Sequence, residues 1–368
     1  MKYKSIYVAA TSQHVGKTTT TLGLVSAFQK QGIKVGYSKP VGQNHIDVNG
    51  AKVDKDSVLF ADLLNFKIIP KIHSPVILGQ GATKDLIENP ETSHLAKLIT
   101  NADKKLQKTK DIVIYEGTGH VGVGSVANLS NADVAKLLGA EVIMIVEGGI
   151  GSTIDMLNMC LSLFREKNVP LLGVIVNKVI PEKKEMVEKY LGTWLDSQGI
   201  KLLGVIPYDK TLGFPLVWSI SKAINGDIEY FEERGYKKVE KIVAGSLVDL
   251  KSLEDANDLL LVVSARALDK AISKIISISK LKDMAESPLS SIVVTGRDKL
   301  TAQSIKYIEE NMIPVVRTDL DTYGAVIRIS KLEVKINRRT PWKISRAIEM
   351  IRENVELNSI LSLTKCDL

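Results

Sequence analysis

The chain has 368 residues, a length that suits two domains, or three, with ample core. Its 45% apolar and 25% charged content is that of a folded globular protein, and no signal peptide or 18-residue apolar span follows the Met1-Lys2-Tyr3-Lys4 start, so neither secretion nor a membrane partner is expected. The net charge of +7 comes without a Lys/Arg block interleaved with aromatics, which sets nucleic acid aside, and Cys160 and Cys366 fit no CxxC pattern, which sets aside zinc and a disulfide framework and points to a reducing cytoplasm.

The first apolar run, Ser5 to Ala10, reads as a buried strand, and Leu22 to Phe28 reads as a helix. Between them lies Thr11-Ser12-Gln13-His14-Val15-Gly16-Lys17-Thr18-Thr19-Thr20. A strand, a tight loop, Gly-Lys-Thr and a helix build a P-loop, whose backbone N–H groups and helix N-terminus hold phosphates. Thr11, Gly16, Lys17, Thr18 and Thr19 are therefore the expected nucleotide-binding residues, with Lys17 on the β/γ-phosphates and the Thr18 hydroxyl on Mg²⁺. Thr11 stands where this pattern usually has Gly, and the plainer alternative is a Gly-Lys-Thr met by chance in an ordinary βα loop.

Further strands are expected at 33–38, 112–115, 142–146, 171–176 and 202–206, and helices at 131–139, 152–167 and 181–197. The strand runs are continuously apolar rather than alternating, so both sheet faces are expected to be covered, giving a doubly wound parallel α/β sheet. Ligands of such sheets sit at the carboxyl ends of the strands. The second strand delivers Lys39, a cation for the γ-phosphate or an anionic substrate, unless it is only a solvated strand-end lysine. The third delivers Glu116, a candidate Mg²⁺ ligand followed by Gly117, Thr118, Gly119 and His120. Asp54 and Asp56 could complete the metal shell, with Asp56 preferred, although it could equally be a helix N-cap. His14 and His120 stand open between proton transfer and structural hydrogen bonding. The run Glu147 to Thr153 offers a second anion pocket, with Ser152 or Thr153 as N-cap, or is simply a glycine-rich turn. Asn177 is placed to bond the edge of a purine, with Pro207 shaping the wall beside it.

The pattern breaks after Pro207, and a second βα series begins with strands at 259–263, 291–294 and 313–316 and helices at 267–281, 301–311 and 343–354. The expected organisation is a P-loop domain over 1–212 and a smaller α/β domain over 213–368 that includes the C-terminal helix.

The segments TSQHVGKTT, KPVGQ, EGTGHVGVGSVANLSNADVA, EGGIGSTIDMLN, GVIVNKV and GVIP resemble the dethiobiotin-synthetase-like P-loop domain, in the version found at the N-terminus of long phosphotransacetylases and in stand-alone relatives. The second domain resembles a DRTGG domain through Leu259 to Ser264 with Arg266, Val294 to Arg297, and Thr318 to Tyr323, with Thr-Gly-Arg where Thr-Gly-Gly is the pattern. The resemblance implies Lys17 and Thr18 on phosphate and Mg²⁺, Asp56 and Glu116 as metal ligands beside Thr18, Lys39 near a carboxylate or carbamate, Asn177 on adenine, and a two-fold dimer through the first domain. The synthetase pattern has an acidic residue where His14 stands and Ser-Gly where Gly42-Gln43 stands, at positions that face its diamino acid substrate. ATP and Mg²⁺ are thus the expected cofactors. Two functions follow. The preferred one is a regulatory or sensory ATP-binding protein; the other is an ATP-dependent ligase or ATPase activating a small carboxylate, with Lys17, Lys39, His14 and His120 as its catalytic residues. Phosphotransacetylase activity is not expected, because the chain ends at Leu368 without that family's catalytic domain.

Overall fold

A computed structural model describes residues 2–366 except 246, 247, 249–257, 333, 335 and 338. They form two compact units, Met1–Asp209 with Ile336–Leu368, and Lys210–Lys335.

The first unit is built on a six-stranded sheet in the order Leu202–Pro207, Leu171–Val179, Glu141–Glu147, Ile6–Ala10, Ile112–Glu116, Val35–Ser38. All its pairs are parallel. The first strand lies between Ile112–Glu116 and Glu141–Glu147, with Ile6 opposite both Ile114 and Glu141. The chain builds outward from this strand in both directions, so the crevice of a doubly wound sheet opens at its carboxyl end, where Thr11 to Gly16 follow. The central strands Ile6–Ala10 and Ile112–Glu116 are buried at every residue, because helices cover both faces.

The helices sit close to the expected spans: Asn131–Leu137, Gly151–Glu166 and Lys184–Ser197, the last preceded by a separate 3-10 turn at Pro181–Lys183. Ser130 starts the first of these with a capping box, its hydroxyl accepting from the Asp133 N–H. Between Lys39 and Asp56 the chain forms an antiparallel hairpin, His45–Val48 with Ala51–Asp54, that the sequence reading lacked. Its short, partly exposed strands are half polar and half apolar and give no strong strand pattern.

The second unit carries a five-stranded sheet in the order Asp227–Tyr230, Val315–Thr318, Leu289–Thr295, Leu259–Ser264, Lys241–Ala244. The first of these is antiparallel to its neighbour and the others run parallel.

Residues 336–368 differ from the expected assignment to the second domain. They return to the first unit as the helices Pro341–Asn354 and Leu357–Thr364. Gly23 of the helix Lys17–Lys30 is the seat: a Cβ there would lie 2.3 Å from the Ile351 side chain. Val355 bridges to Gly204, and Lys365 to Tyr3. The spacing of Ile344, Ala347, Met350 and Ile351 shows that this helix buries one face, but periodicity alone does not say against which partner. Residues 210–335 are thus an insertion in the chain of the P-loop unit.

Candidate nucleotide and cation site

The loop after the first strand is held in a shape that its sequence permits. His14 and Gly16 adopt left-handed backbone, with φ of +60° and +111°. Gly16 has no substitute here, because a Cβ would come 2.0 Å from Asn177 Nδ2, the atom that donates to the Val15 carbonyl at 2.7 Å. Gly16 also caps the helix Lys17–Lys30 without a side-chain bond, and the first turn holds no acidic residue, so the positive end of the helix faces the loop. Lys17 Nζ donates to the carbonyls of Gly119, at 2.6 Å, and Ser12, at 3.2 Å, tying the loop to the segment after Glu116. The Thr11 N–H continues the strand by donating to the Ile145 carbonyl, and Thr19 sits half-buried in the first helical turn.

Beside the loop lies a buried charge cluster. Thr18 Oγ1 donates to Glu116 Oε1 at 2.7 Å and the Tyr37 hydroxyl donates to Oε2 at 3.2 Å. The Lys39 ammonium hydrogen-bonds Asp56 Oδ2 and lies 3.5 Å from Asp54 Oδ1 and 3.8 Å from Glu116 Oε1. Burial pushes the Glu116 carboxyl up to about 7; Asp56 and Asp54 push the same way, and Lys39 and Thr18 hold it down. Burial alone would favour a neutral Lys39, but the three carboxylates together outweigh it and keep the ammonium charged. Asp54, not Asp56, is the N-cap of the helix Lys55–Leu63: it accepts from the Asp56 N–H at 2.9 Å, and this leaves the Asp56 carboxylate to Lys39. Gly42 allows the approach, since a Cβ on it would meet Asp54 Oδ2 at 2.7 Å.

These donors are all oxygens, the set a hard cation takes. Among the described residues no three acidic, His or Cys side chains converge so as to hold an ion by themselves. Mg²⁺ takes one or two carboxylates and fills its shell with water and phosphate oxygens. Thr18, Asp56 and Glu116 offer oxygen donors of the kind that ion takes, and the Lys39 ammonium supplies positive charge among the carboxylates.

Asn131, which sequence reasoning passed over, fixes the segment after Glu116. Its Oδ1 accepts from the Thr118 N–H at 3.0 Å and the Tyr7 hydroxyl at 2.7 Å; its Nδ2 donates to the carbonyls of Thr118, at 2.9 Å, and His120, at 2.6 Å. The only sequence signal was Gly117, where a Cβ would strike Asn131 Oδ1 at 2.4 Å. His14 and His120 are exposed whereas Lys39 and Glu116 are buried, and His120 Nδ1 accepts the Gly122 N–H. Asn177 is buried at the end of its strand and Pro207 half-buried at the end of the next. The expected cap at Ser152 or Thr153 is not made: the helix Gly151–Glu166 is capped by Ile150, and the Thr153 hydroxyl donates back to the Glu147 carbonyl. In the second unit, Arg266 pairs with Asp298 and Arg297 binds Asp319 through two bonds of 2.8 Å, all at the surface.

The AAA domain family matches residues 4–215. The chain is 21% identical over 366 residues to a phosphate acetyltransferase of Nitratidesulfovibrio vulgaris, an alignment covering 97% of this chain and 51% of that protein. It is 28% identical over 218 residues to the ATP-dependent dethiobiotin synthetase BioD of Nitrosopumilus maritimus, covering 57% of this chain and 91% of that protein. The chain spans about half the length of the phosphate acetyltransferases it matches end to end. Among solved structures, the MinD cell division protein of Aquifex aeolicus aligns with a TM-score of 0.36 and 16% identity over 57% of this chain and 84% of that one.

Proposed function

Because the chain belongs to the AAA domain family, matched from residue 4 to residue 215, we propose that it binds ATP·Mg²⁺ and that this binding serves a regulatory or sensory role. One observation carries the reading: a lysine ringed by Asp54, Asp56 and Glu116, one hydrogen bond from the P-loop Thr18. In this reading Lys17 exchanges the Ser12 and Gly119 carbonyls for the β/γ-phosphates, and Thr11, Gly16 and Thr19 line the phosphate path. Thr18, Asp56 and Glu116 hold the cation, which supplies neutralisation of phosphate charge when bound. Asn177 and Pro207 take the base. The unit Lys210–Lys335 acts as a DRTGG-type module, and the protein works in the cytoplasm as a homodimer through its P-loop unit.

The likeness to a dethiobiotin synthetase over 57% of the chain favours a second reading, an ATP-dependent ligase in which Lys39 orients a small carboxylate beyond the γ-phosphate and His14 or His120 moves a proton. Acetyl transfer is not carried over from the longer relatives. Titration calorimetry with ATP and Mg²⁺ tests the shared premise: binding is expected in the wild type and a loss of at least tenfold in Lys17→Ala. Phosphate release at background with a broad panel of small acids, alongside an ATP-dependent shift in oligomeric state, supports the sensor. Stimulation of phosphate release by any acid in the panel supports the ligase.

A further inference from the structure

Resting on the nucleotide-binding reading above, we propose that His73 and Ser74, at the end of the short helix Pro70–His73, are positioning residues that hold Lys39 and Asp54 in place for the cation and terminal phosphate of the bound nucleotide. Lys39 leaves its sheet at an edge. The strand Val35–Ser38 is the last in the sheet, paired with Ile112–Glu116, and its register ends at Ser38. Beyond that point the segment from Ile72 to Val76 stands in for a neighbouring strand. The Ser38 hydroxyl donates to the Ile72 carbonyl at 2.8 Å, the Lys39 N–H to the His73 carbonyl at 3.0 Å, and the Val76 N–H to the Pro40 carbonyl at 3.2 Å. His73 and Ser74 also grip the other side of the cluster. The Asp54 N–H donates to Ser74 Oγ at 3.0 Å, Ser74 Oγ donates to Ser57 Oγ at 3.0 Å, and Ser57 Oγ donates to the His73 carbonyl at 2.7 Å. Ser57 lies next to Asp56 in the helix Lys55–Leu63. The strand end that carries Lys39 and the hairpin and helix that carry Asp54 and Asp56 are therefore tied to the same dipeptide.

The His73 ring fixes that dipeptide. Its Nδ1 accepts the Ile69 N–H at 2.9 Å, the His73 N–H donates to the Ile69 carbonyl at 2.9 Å, and the ring packs on Phe66 with centroids 4.4 Å apart. Burial pushes the imidazole down to about 4, so at neutral pH the ring is uncharged and Nδ1 remains an acceptor. Ser57, His73 and Ser74 are all buried, so removing one member leaves the others with polar atoms that water does not satisfy. A rigid frame has a use at this place. Asp54, Asp56 and Glu116 gather around one ammonium and repel one another, so their spacing has to be held by bonds outside the cluster. His73 and Ser74 do not touch the nucleotide in this reading; they act through Lys39, Asp54 and the helix that carries Asp56.

Full-length His73→Leu, Ser74→Ala and His73→Asn are titrated with ATP·Mg²⁺ and, separately, with ADP in EDTA, which calls on the loop and the base wall but not on the cation end. His73→Leu removes the ring acceptor, Ser74→Ala removes the hydroxyl shared by Asp54 and Ser57, and His73→Asn keeps an acceptor one bond from Cγ, as Nδ1 is. For His73→Leu and Ser74→Ala the expected result is about tenfold weaker ATP·Mg²⁺ binding with Mg²⁺-free ADP within about twofold of wild type, and for His73→Asn recovery of ATP·Mg²⁺ to within about threefold. Wild-type ATP·Mg²⁺ affinity in both disruptive variants overturns the proposal and leaves the nucleotide reading standing. An equal loss of both ligands overturns it as well, since a merely structural role weakens the site as a whole. Failure of His73→Asn to recover overturns the part given to the His73 ring. If His73→Leu does not fold, the Ser74→Ala titrations decide. A wild type that holds ATP·Mg²⁺ but no Mg²⁺-free ADP overturns the proposal, because the loop and the cation end then do not act separately. A wild type that binds neither ligand overturns this proposal and the nucleotide reading together.

Discussion

Glu116 shows how burial at a strand end shifts a carboxyl. Its carboxyl is shifted from an ordinary 4.5 to about 7 by burial first, with Asp56 and Asp54 adding to it. Between those values the folded protein holds a proton that the unfolded chain has released, so stability falls as pH rises from 4.5 to 7 and is level above. Glu116→Gln removes that fall. Urea unfolding is expected to show the variant more stable than wild type at pH 8 by roughly 1–3 kcal/mol, with the advantage shrinking toward pH 5. A difference that does not change with pH overturns this account. Lys39 is the counterpart: Lys39→Met leaves three carboxylates facing one another and is expected to cost about 3–5 kcal/mol at pH 8, less at pH 5 where they take up protons. Thr18, Lys39 and Glu116 were legible as neighbours because each follows or ends a strand, or opens a helix, at the carboxyl edge of one sheet; Asp56, which opens a helix after a separate two-stranded hairpin, was read only as lying between those elements. Asn131 was not, because it acts by holding backbone groups of a loop eleven to thirteen residues earlier in the chain. Hydrophobic pattern carries no trace of such bonds.

At the scale of elements, the parallel strands of the first sheet were read correctly from runs such as Ile112 to Tyr115, where burial on both faces demands continuous apolar sequence. The hairpin His45–Val48/Ala51–Asp54 and the edge strand Asp227–Tyr230 were missed, since their half-exposed residues mix polar and apolar types as a loop does. A glycine decides how the last helix docks. In Gly23→Ala the new Cβ would sit 2.3 Å from Ile351, so the variant is expected to lose about 1–3 kcal/mol from overpacking. Ile351→Ala alone opens a cavity and is expected to cost about 2–5 kcal/mol. In the double variant the added methyl meets the space that Ile351 vacated, so the combined loss should fall short of the sum by roughly 0.5–3 kcal/mol. Denaturant melts of the four proteins measure this coupling, and strict additivity would show that Ile351 does not rest on Gly23.

For the whole molecule, the expected boundary near 212 lies close to the observed one at Asp209, but the second expected domain ran on to 368 while the chain returns at Ile336. A return is invisible in sequence because a helix with one apolar face is equally compatible with either sheet. It has a thermodynamic consequence. The two units have separate sheets, so each is expected to unfold cooperatively in its own transition. Residues 336–366 bury Ile344, Met350, Ile351, Val355, Ile360 and Leu361. At about 1.5–3 kcal/mol for each such side chain, their removal outweighs much of the roughly 5–15 kcal/mol net stability of a domain. A chain truncated after residue 335 is therefore expected to lose or sharply lower the transition of the unit Met1–Asp209 while that of Lys210–Lys335 keeps its temperature. In the full chain, ATP at a hundred times its Kd should raise only the first transition, by about 2.7 kcal/mol of added stability. Scanning calorimetry of both proteins, with and without ATP·Mg²⁺, separates the alternatives: if the truncation instead lowered the transition that ATP leaves untouched, residues 336–368 would belong with the second unit.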